Sequence, residues 1–180
     1  RFVVKEKHGS EAELTIFSSF LYNRGWLDHR ENHPREAEDH LWHDAAYTRI
    51  RRELRRKARP PRGCAEFQHA PLILVPYNEG LHWSLGVIIN IKSLTDTSRA
   101  VTHPPCIMHL DSLRTHPSKK FCEDLRQFAT RLALDDLSSP SYKQNATDIN
   151  RILGRWRPAI TNIGPAQDNS CDCGFFVCQS

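Results

Sequence analysis

Three cysteines near the end of the chain are the residues most able to do chemistry. They are Cys171, Cys173 and Cys178, in the string DNSCDCGFFVC. A thiol is a strong nucleophile only where its surroundings hold it as thiolate, and the partial positive charge at a helix start does so. The residues after Gly174 predict a helix, so we predict that Cys173 begins it and acts as the nucleophile. Gly174 would let a substrate carbonyl approach the backbone N–H groups.

Two other uses of these cysteines fit the spacing less well. Structural zinc sites usually take four ligands with C-x2-4-C spacing and a second pair at a distance, whereas this cluster reads C-x-C and then C-x4-C. A disulfide between Cys171 and Cys173 would be strained in so short a loop. We therefore predict no metal and no cofactor. Six cysteines in a chain of this length indicate reduced thiols and a nuclear or cytoplasmic protein.

A nucleophilic cysteine needs a base and a group that orients the base, and folding must supply both. His82 follows a glycine-containing turn and precedes a long apolar run, so we expect it at the rim of a sheet. Asp111 ends the next apolar run, and two neighbouring strands would hold the two side chains together. Gln167, six residues before Cys173, is the candidate side-chain donor to an oxyanion.

Apolar residues at helical spacing predict the helices around this site. The capping box Ser10–Glu13 and the apolar residues after it predict a short helix near residues 11–22. A second helix stops at Pro60-Pro61 and has an apolar residue at every fourth position: Trp42, Ala46, Ile50 and Leu54. A third runs from Ser118 to about Asp136, with Phe121, Leu125, Phe128 and Leu132 in phase. Residues 149–157 predict a short helix or turn.

Apolar runs of strand length predict a sheet, and they are Leu72–Val75, Trp83–Ile91, Cys106–Leu110 and Ala159–Ile163. Turn-forming residues 76–80 separate the first two runs. Because these runs are almost continuously apolar, we expect strands covered on both faces. The order of elements predicts an α+β fold with a central antiparallel or mixed sheet flanked by helices.

Length and charge limit the class of protein. A chain of 180 residues with 39% hydrophobic residues can bury one core, so we expect residues 1–180 to form a single domain. The chain lacks both an initiator Met and an apolar run of about 18 residues, so we expect a piece of a longer protein without a membrane segment. Residues 49–62 hold eight Lys or Arg against one Glu. They predict a solvated helix face, a site for an acidic partner, or a nuclear-localisation signal. Binding of nucleic acid is disfavoured because no nucleic-acid-binding motif accompanies the charge.

Three strings resemble the signature blocks of the ubiquitin-like-protein proteases, the cysteine peptidase family of the SUMO-specific (sentrin-specific) proteases. They are PYNEGLHWSL (residues 76–85), MHLDSL (108–113) and QDNSCDCGFFVC (167–178). The family pattern is an HWSL block, an apolar strand ending in D-S, and a Q…DCG-x-F-V-C block, in that order. The resemblance covers residues from about 14 to 180.

The resemblance implies a papain-like α+β fold with the catalytic residues in the order His, Asp, Cys. His82 would be the general base, Asp111 would orient its imidazole, and Cys173 would attack the carbonyl. Gln167 would help to bind the oxyanion, and Trp83 would line a narrow channel for the Gly-Gly tail of the modifier. The implied reaction is hydrolysis after the C-terminal Gly-Gly of SUMO or a related modifier, through a thioester and without a cofactor.

Two rival functions use the same residues. Acyltransferases of bacterial effectors have a related His, acidic residue and Cys arrangement, but the block around Trp83 and the DCG string favour a protease. A non-catalytic SUMO-binding module is disfavoured because every named catalytic residue is intact. The family normally has a further Trp-containing block before this segment and a closing segment after it, so we expect a catalytic domain truncated at both ends. We also expect a monomer.

Overall fold

The computed structural model describes residues 2–5, 11–17, 20–23, 40–58, 70–135, 146–161, 166–169, 171–174 and 177. The helices are α1 (Phe20–Tyr22), α2 (His40–Ala58), α3 (Thr97–Thr102), α4 (Ser118–Leu134) and α5 (Ala146–Leu153), with a 3₁₀ helix at Ile91–Leu94. The strands are β1 (Phe2–Lys5), β2 (Glu11–Ile16), β3 (Leu72–Glu79), β4 (His82–Ile89), β5 (Cys106–Leu110) and β6 (Ile160–Thr161).

The six strands form one mixed sheet in the order β1-β2-β3-β4-β5-β6. The pairs β2–β3 and β5–β6 are parallel, and the other three are antiparallel. The predicted α+β class with a mixed sheet is therefore confirmed. Strand β4 is buried at all positions from Ser84 to Ile88, as expected for a strand covered on both faces.

A two-residue turn joins β3 to β4 and places His82 at the start of β4. Gly80 and Leu81 have φ values of 60° and 68°, as a type I′ hairpin turn requires at both central positions. Glycine takes this conformation without steric cost. Leu81 takes the same conformation although it is not a glycine, and it is 94% exposed. The tight turn fixes the position of His82 relative to Glu79, its partner across the hairpin.

The predicted helix near residues 11–22 is wrong for its first half. Residues Glu11–Ile16 form β2, which pairs with β1 and with the start of β3, and the helical part that the structure describes begins at Phe20. The string EAELTI alternates polar and apolar residues, which is the period of a strand. The capping box was misleading because the same residues satisfy both periods over so short a segment.

The predicted turn at residues 76–80 is also too long. Strand β3 continues through Pro76 to Glu79, and β4 begins at His82 rather than at Trp83 and ends at Ile89. Proline is tolerated here because β2 pairs only with residues 72–74, so Pro76 has a strand partner on one side only within the described residues.

The remaining elements follow the sequence pattern more closely. The strand at Cys106–Leu110 and the second and third helices are confirmed, and the apolar residues in phase on α4 are all fully buried: Phe121, Leu125, Phe128 and Leu132. Helix α5 covers part of the predicted segment 149–157, and the predicted strand at 159–163 is described only as the two residues of β6. Residues 173, 174 and 177 are helical, and the rest of the predicted final helix lies outside the described residues.

The basic stretch at residues 49–62 was predicted to form a solvated helix face, and this is only partly so in the described residues. Arg49 and Arg52 are exposed on α2, but Arg51 is buried, and its Nε lies 2.7 Å from Asp135 Oδ2 beyond the end of α4. The Tyr47 hydroxyl donates to the same carboxylate oxygen at 2.8 Å. Part of the local positive charge therefore joins α2 to α4, and the stretch beyond residue 58 lies outside the described residues. No helix in the described part of the chain is long and apolar enough to cross a membrane.

Helix α4 lies so close to β4 that only glycine fits at residue 86. A Cβ on Gly86 would stand 2.5 Å from Leu125 Cδ1 and 2.8 Å from Phe121 Cζ. We expect Gly86→Ala to lower the free energy of unfolding by about 1–3 kcal/mol through overpacking. Urea unfolding measures this, with Gly154→Ala as the control because a Cβ there meets nothing closer than 3.7 Å. Equal effects of the two substitutions would contradict this account.

Candidate active site

Strands β4 and β5 bring the predicted base and its orienter together. His82 is the first residue of β4, and Asp111 directly follows the last residue of β5. His82 Nε2 lies 2.6 Å from Asp111 Oδ1, and both side chains are buried. The predicted juxtaposition of these two side chains is therefore present.

The loop after β5 wraps around the Asp111 carboxylate. The backbone N–H groups of Leu113 and Arg114 donate to Oδ1 at 3.1 and 2.9 Å, and that of His116 donates to Oδ2 at 2.9 Å. Burial alone raises the pKa of Asp111, but the hydrogen bonds from His82 and from the backbone outweigh it, so the pKa lies below its ordinary value. Asp111 is therefore held as a carboxylate in a fixed orientation.

This arrangement assigns the tautomer of His82. The Asp111 carboxylate only accepts hydrogen bonds, so Nε2 of His82 carries the hydrogen and a neutral ring has its lone pair on Nδ1. Nδ1 is buried and has no hydrogen-bond partner among the described residues. The ring therefore presents a buried, unused proton acceptor.

Cys173 lies beside the residue that precedes His82. Its Sγ is 4.0 Å from the carbonyl oxygen of Leu81, and the side chain is buried. A hydrogen bond between this sulfur and His82 Nδ1 is not among those of the described residues, and such bonds are often long before substrate binds. The neighbouring Cys171 is exposed and has a free thiol, and Cys178 lies outside the described residues.

Gly174 and Trp83 meet next to the cysteine. A Cβ on Gly174 would stand 3.9 Å from Trp83 Cδ1, an ordinary contact, and Gly174 does not have a left-handed φ. Neither packing nor backbone conformation therefore requires glycine at this position. Trp83 is half-buried.

The side chain of Gln167 is held by the residue after Asp111. Ser112 Oγ donates to Gln167 Oε1 at 2.5 Å, and Gln167 Nε2 donates to the Asn169 carbonyl at 2.5 Å. The Gln167 backbone N–H also donates to the Ser112 carbonyl at 3.0 Å. Because the Asn169 carbonyl only accepts, the orientation of the amide is fixed. Asp111 and Ser112 thus hold the base and the predicted oxyanion donor from adjacent positions.

The described part of the chain contains one group of three side chains whose atoms could meet on a metal ion: His82, Asp111 and His116, within 4.8 Å of one another. His82 Nε2 and Asp111 Oδ1 are only 2.6 Å apart, whereas two ligands of one tetrahedral zinc ion stay about 3.3 Å apart. These two atoms are spaced for a hydrogen bond rather than for sharing an ion.

Sequence reasoning missed two residues of this site. Ser112 is part of the D-S pair quoted from the sequence, but its hydroxyl was given no role. His116 is buried five residues after Asp111, and its ring lies 4.5 Å from that of His82. No periodicity marks a loop residue of this kind, so only its proximity in sequence to Asp111 could have suggested it.

His109, the buried neighbour of these rings on β5, makes stability depend on pH. Burial lowers its pKa from 6.5 to about 4, with His116 and His82 acting in the same direction and Asp111 against it. The unfolded chain then binds more protons in this pH range, so the free energy of unfolding should fall by up to about 3 kcal/mol as pH drops through it. Burial lowers the pKa of His116 too, which adds to the trend.

Urea unfolding between about pH 7 and about pH 4 measures this dependence. His109→Gln, which cannot titrate, should flatten the slope, whereas the same change at the exposed His103 should leave it unaltered. A slope in His109→Gln equal to that of the unmodified chain would show that another group is responsible.

The sequence comparisons identify a matching family and similar proteins. Residues 1–180 match the sequence profile of the Ulp1 protease family, C-terminal catalytic domain. The chain is 27% identical over 187 residues to probable ubiquitin-like-specific protease 2B of Arabidopsis thaliana, covering 96% of this chain and 16% of that protein. It is 34% identical over 111 residues to ubiquitin-like-specific protease 1D of Arabidopsis thaliana, covering 58% of this chain and 17% of that protein. The chain thus spans less than a fifth of the length of these relatives.

The structural comparison agrees on the fold. A crystal structure of a de-sumoylating protease superposes with a TM-score of 0.56 at 19% identity, covering 92% of this chain and 49% of that one. At this identity the likeness concerns the fold alone. It matches the α+β fold with a central mixed sheet described above.

Proposed function

Because the chain belongs to the Ulp1 protease family, we propose that it is the catalytic part of a cysteine protease that cleaves after the C-terminal Gly-Gly of SUMO or a related modifier. The observation that carries the proposal is the His82–Asp111 pair, which leaves His82 Nδ1 as a buried acceptor, while Cys173 Sγ lies 4.0 Å from the carbonyl oxygen of the preceding residue, Leu81. The similar proteins described as ubiquitin-like-specific proteases support the choice of substrate.

In the first half of the reaction, His82 Nδ1 takes the proton of the Cys173 thiol. The resulting imidazolium is stabilised by Asp111, whose carboxylate accepts the Nε2–H. The thiolate attacks the carbonyl carbon of the last glycine and forms a C–S bond. As the tetrahedral intermediate collapses, His82 returns the proton to the leaving nitrogen, the C–N bond breaks, and a thioester remains on Cys173.

In the second half, water replaces the departed amine. His82 Nδ1 accepts a proton from the water as its oxygen attacks the thioester carbonyl. Collapse of this intermediate breaks the C–S bond and releases the glycine carboxylate. The proton on His82 returns to the sulfur, so no other reactant is consumed.

We propose Gln167 as the side-chain donor to the oxyanion in both halves. Its amide carries two N–H bonds, of which one donates to the Asn169 carbonyl, and the second is proposed for the substrate oxygen. The Ser112 hydroxyl holds the other end of the amide. A donor fixed before the reaction stabilises developing charge without reorganisation, and that fixing is the role proposed for Ser112.

Ser112→Ala is accordingly expected to lower kcat about tenfold with little change in KM, because Gln167 loses the hydrogen bond that orients it. Steady-state hydrolysis of a fluorogenic SUMO substrate measures both constants. Ser98→Ala is the matched control, since that serine is exposed and bonds only Asp96 at 2.6 Å in the described residues. An unchanged kcat in Ser112→Ala would remove Ser112 from this role.

Trp83 and Gly174 are proposed to bind the Gly-Gly tail. The half-buried Trp83 indole would supply a flat wall next to Gly174, where a Cβ would stand 3.9 Å from Trp83 Cδ1. Because packing among the described residues does not require glycine at residue 174, we propose that the missing side chain leaves room for the substrate. A flat wall of this kind admits a glycine tail and excludes residues that carry a Cβ.

The proposal is tested by treating the chain with SUMO that carries a C-terminal electrophile, and in parallel with ubiquitin that carries the same group. We expect a covalent adduct with SUMO at Cys173, none with ubiquitin, and none with Cys173→Ala. Failure of SUMO to react while the chain is folded would exclude the proposed specificity. Release of free SUMO from a conjugate in water, rather than its transfer to an added amine, would separate hydrolysis from acyl transfer.

We further propose that the protein works in the nucleus or cytoplasm. The cysteines of the described residues are all free, namely Cys106, Cys122, Cys171 and Cys173. A thiol nucleophile flanked by an exposed cysteine needs a reducing compartment to stay reduced.

A further inference from the structure

A chain of four polar side chains lies beside the proposed catalytic pair and is not used by the mechanism above. Ser118 Oγ lies 2.8 Å from His109 Nδ1, and His109 Nε2 lies 2.9 Å from Ser84 Oγ. Ser84 Oγ lies 2.7 Å from His116 Nδ1, and His116 Nε2 lies 3.3 Å from the Glu79 carbonyl oxygen. Ser84 and His109 are fully buried, and His116 is 9% exposed.

Hydrogen-bond chemistry gives this chain one direction. The Glu79 carbonyl only accepts, so His116 donates from Nε2 and, when neutral, accepts at Nδ1 from the Ser84 hydroxyl. The Ser84 oxygen then accepts from His109 Nε2–H, and His109 Nδ1 accepts from the Ser118 hydroxyl. Both histidines are therefore neutral Nε2–H tautomers, in agreement with the burial that lowers the pKa of each.

His116, the last histidine of this hydrogen-bond chain, contacts both His82 and Asp111. The rings of His116 and His82 have centroids 4.5 Å apart, and Tyr77 packs on His116 at 4.2 Å. The His116 backbone N–H donates to Asp111 Oδ2 at 2.9 Å. A shift of His116 would therefore displace the His82 ring and the carboxylate that orients it together.

We propose that His116 is a positioning residue for the His82–Asp111 pair, held neutral and in one tautomer by the hydrogen-bond chain that begins at Ser118. This inference rests on the catalytic roles proposed above for His82 and Asp111. This hydrogen-bond chain links the His82–Asp111 pair to Ser118, the first residue of α4, through side chains from β4, β5 and the loop after β5.

The neutral state of His116 has a functional consequence. The titratable groups that face it are His82 and His109, which oppose a positive charge on it, and Asp111 and Glu79, which favour one. A cation in contact with the His82 ring would oppose the imidazolium that His82 must form with Cys173. A neutral His116 does not offset the negative charge of Asp111. That charge therefore remains available to stabilise the His82 imidazolium.

Two substitutions separate the hydrogen bond of His116 from its ring. His116→Phe keeps an aromatic ring on His82 but cannot accept from Ser84, whereas His116→Asn keeps an acceptor and loses the ring. In His116→Phe the Ser84 hydroxyl can turn to His109, which must then become the Nδ1–H tautomer. Nitrogen-15 chemical shifts of the histidine side chains at neutral pH should report this reversal in His116→Phe and its absence in His116→Asn.

The effect of the His116 substitutions on Cys173 is measured by alkylation with iodoacetamide. This reaction needs no SUMO or related protein, so the result does not depend on the proposed substrate. Peptide fragmentation locates the label on Cys173. We expect His116→Phe to slow alkylation of Cys173 at neutral pH about tenfold and to move the pH midpoint upward, because a displaced His82 stabilises the thiolate less. His116→Asn should recover part of the rate, and the exposed Cys171 should react equally in all variants.

If His116→Phe does not fold, Ser84→Ala tests the proposal instead, because it interrupts the same hydrogen-bond chain with a smaller side chain. We expect Ser84→Ala to slow the alkylation of Cys173 several-fold. An unchanged pH profile of Cys173 in a folded His116 or Ser84 variant would overturn the proposal. So would a protonated or Nδ1–H His116 in the unmodified chain at neutral pH. Loss of SUMO cleavage with normal alkylation behaviour would instead count against the proposed substrate.

Discussion

Cys173→Ala is expected to reduce hydrolysis of a SUMO conjugate by roughly 10⁴-fold or more, because loss of the proposed covalent nucleophile would leave only binding and oxyanion stabilisation. The side chain is buried, and its Sγ is 4.0 Å from the Leu81 carbonyl. Alanine fills most of this space, so the fold should persist and the modifier should still bind. The measurement is single-turnover cleavage of a SUMO conjugate together with the dissociation constant of the variant for product SUMO.

Cys171→Ala is the matched control for this result. Cys171 is exposed two residues away, and the bond that its backbone N–H donates to Asn169 Oδ1 at 3.1 Å survives the substitution. We expect cleavage within about twofold of the unmodified chain, as is usual for a surface substitution with no special role. Equal losses in the two variants would mean that the cysteines act together, through an oxidised pair or a shared ion, and not as one nucleophile.

The sequence predicts the position of the proposed base and its orienter because both stand at strand ends. Two apolar runs long enough to be neighbouring strands put His82 at the start of one and Asp111 after the other, and antiparallel pairing then brings a start and an end together. Residue types and strand period suffice for that inference. The distance of 2.6 Å and the tautomer follow only from coordinates.

Other features depend on contacts between distant segments, which a single sequence does not encode locally. The segment Glu11–Ile16 satisfies a helical and a strand period, and pairing with β1 and β3 decides between them. Arg51 belongs to a basic run but is neutralised by Asp135, 84 residues away. The roles proposed for Ser112 and His116 depend on partners reached only after folding, namely Gln167 and the His82 ring.

The second large effect is expected at the carboxylate, since Asp111 accepts four hydrogen bonds, one from His82 and three from backbone N–H groups. Asn offers only one oxygen, so its N–H₂ group must replace either Oδ1, which accepts from His82 and from two backbone N–H groups, or Oδ2, which accepts from the third backbone N–H. Because Oδ1 has three of the four donors, the oxygen of Asn should take that position and the N–H₂ group should face the His116 backbone N–H. His82 would then keep its hydrogen on Nε2, but the negative charge proposed to stabilise its imidazolium would be lost.

Asp111→Asn is therefore expected to lower kcat by roughly 10²-fold with little change in KM, since the ring stays in place but its imidazolium loses the carboxylate that is proposed to stabilise it. Asp148→Asn is the control, because that carboxylate forms an exposed ion pair with Arg151 at 2.9 Å and should leave kcat unaltered. Both constants come from hydrolysis of a fluorogenic SUMO substrate, and nitrogen-15 shifts of His82 report the tautomer. A lowered kcat with an unchanged Nε2–H tautomer is the expected result. A normal kcat would contradict the role proposed for the Asp111 charge, and an Nδ1–H His82 would show that the loss comes from the tautomer instead.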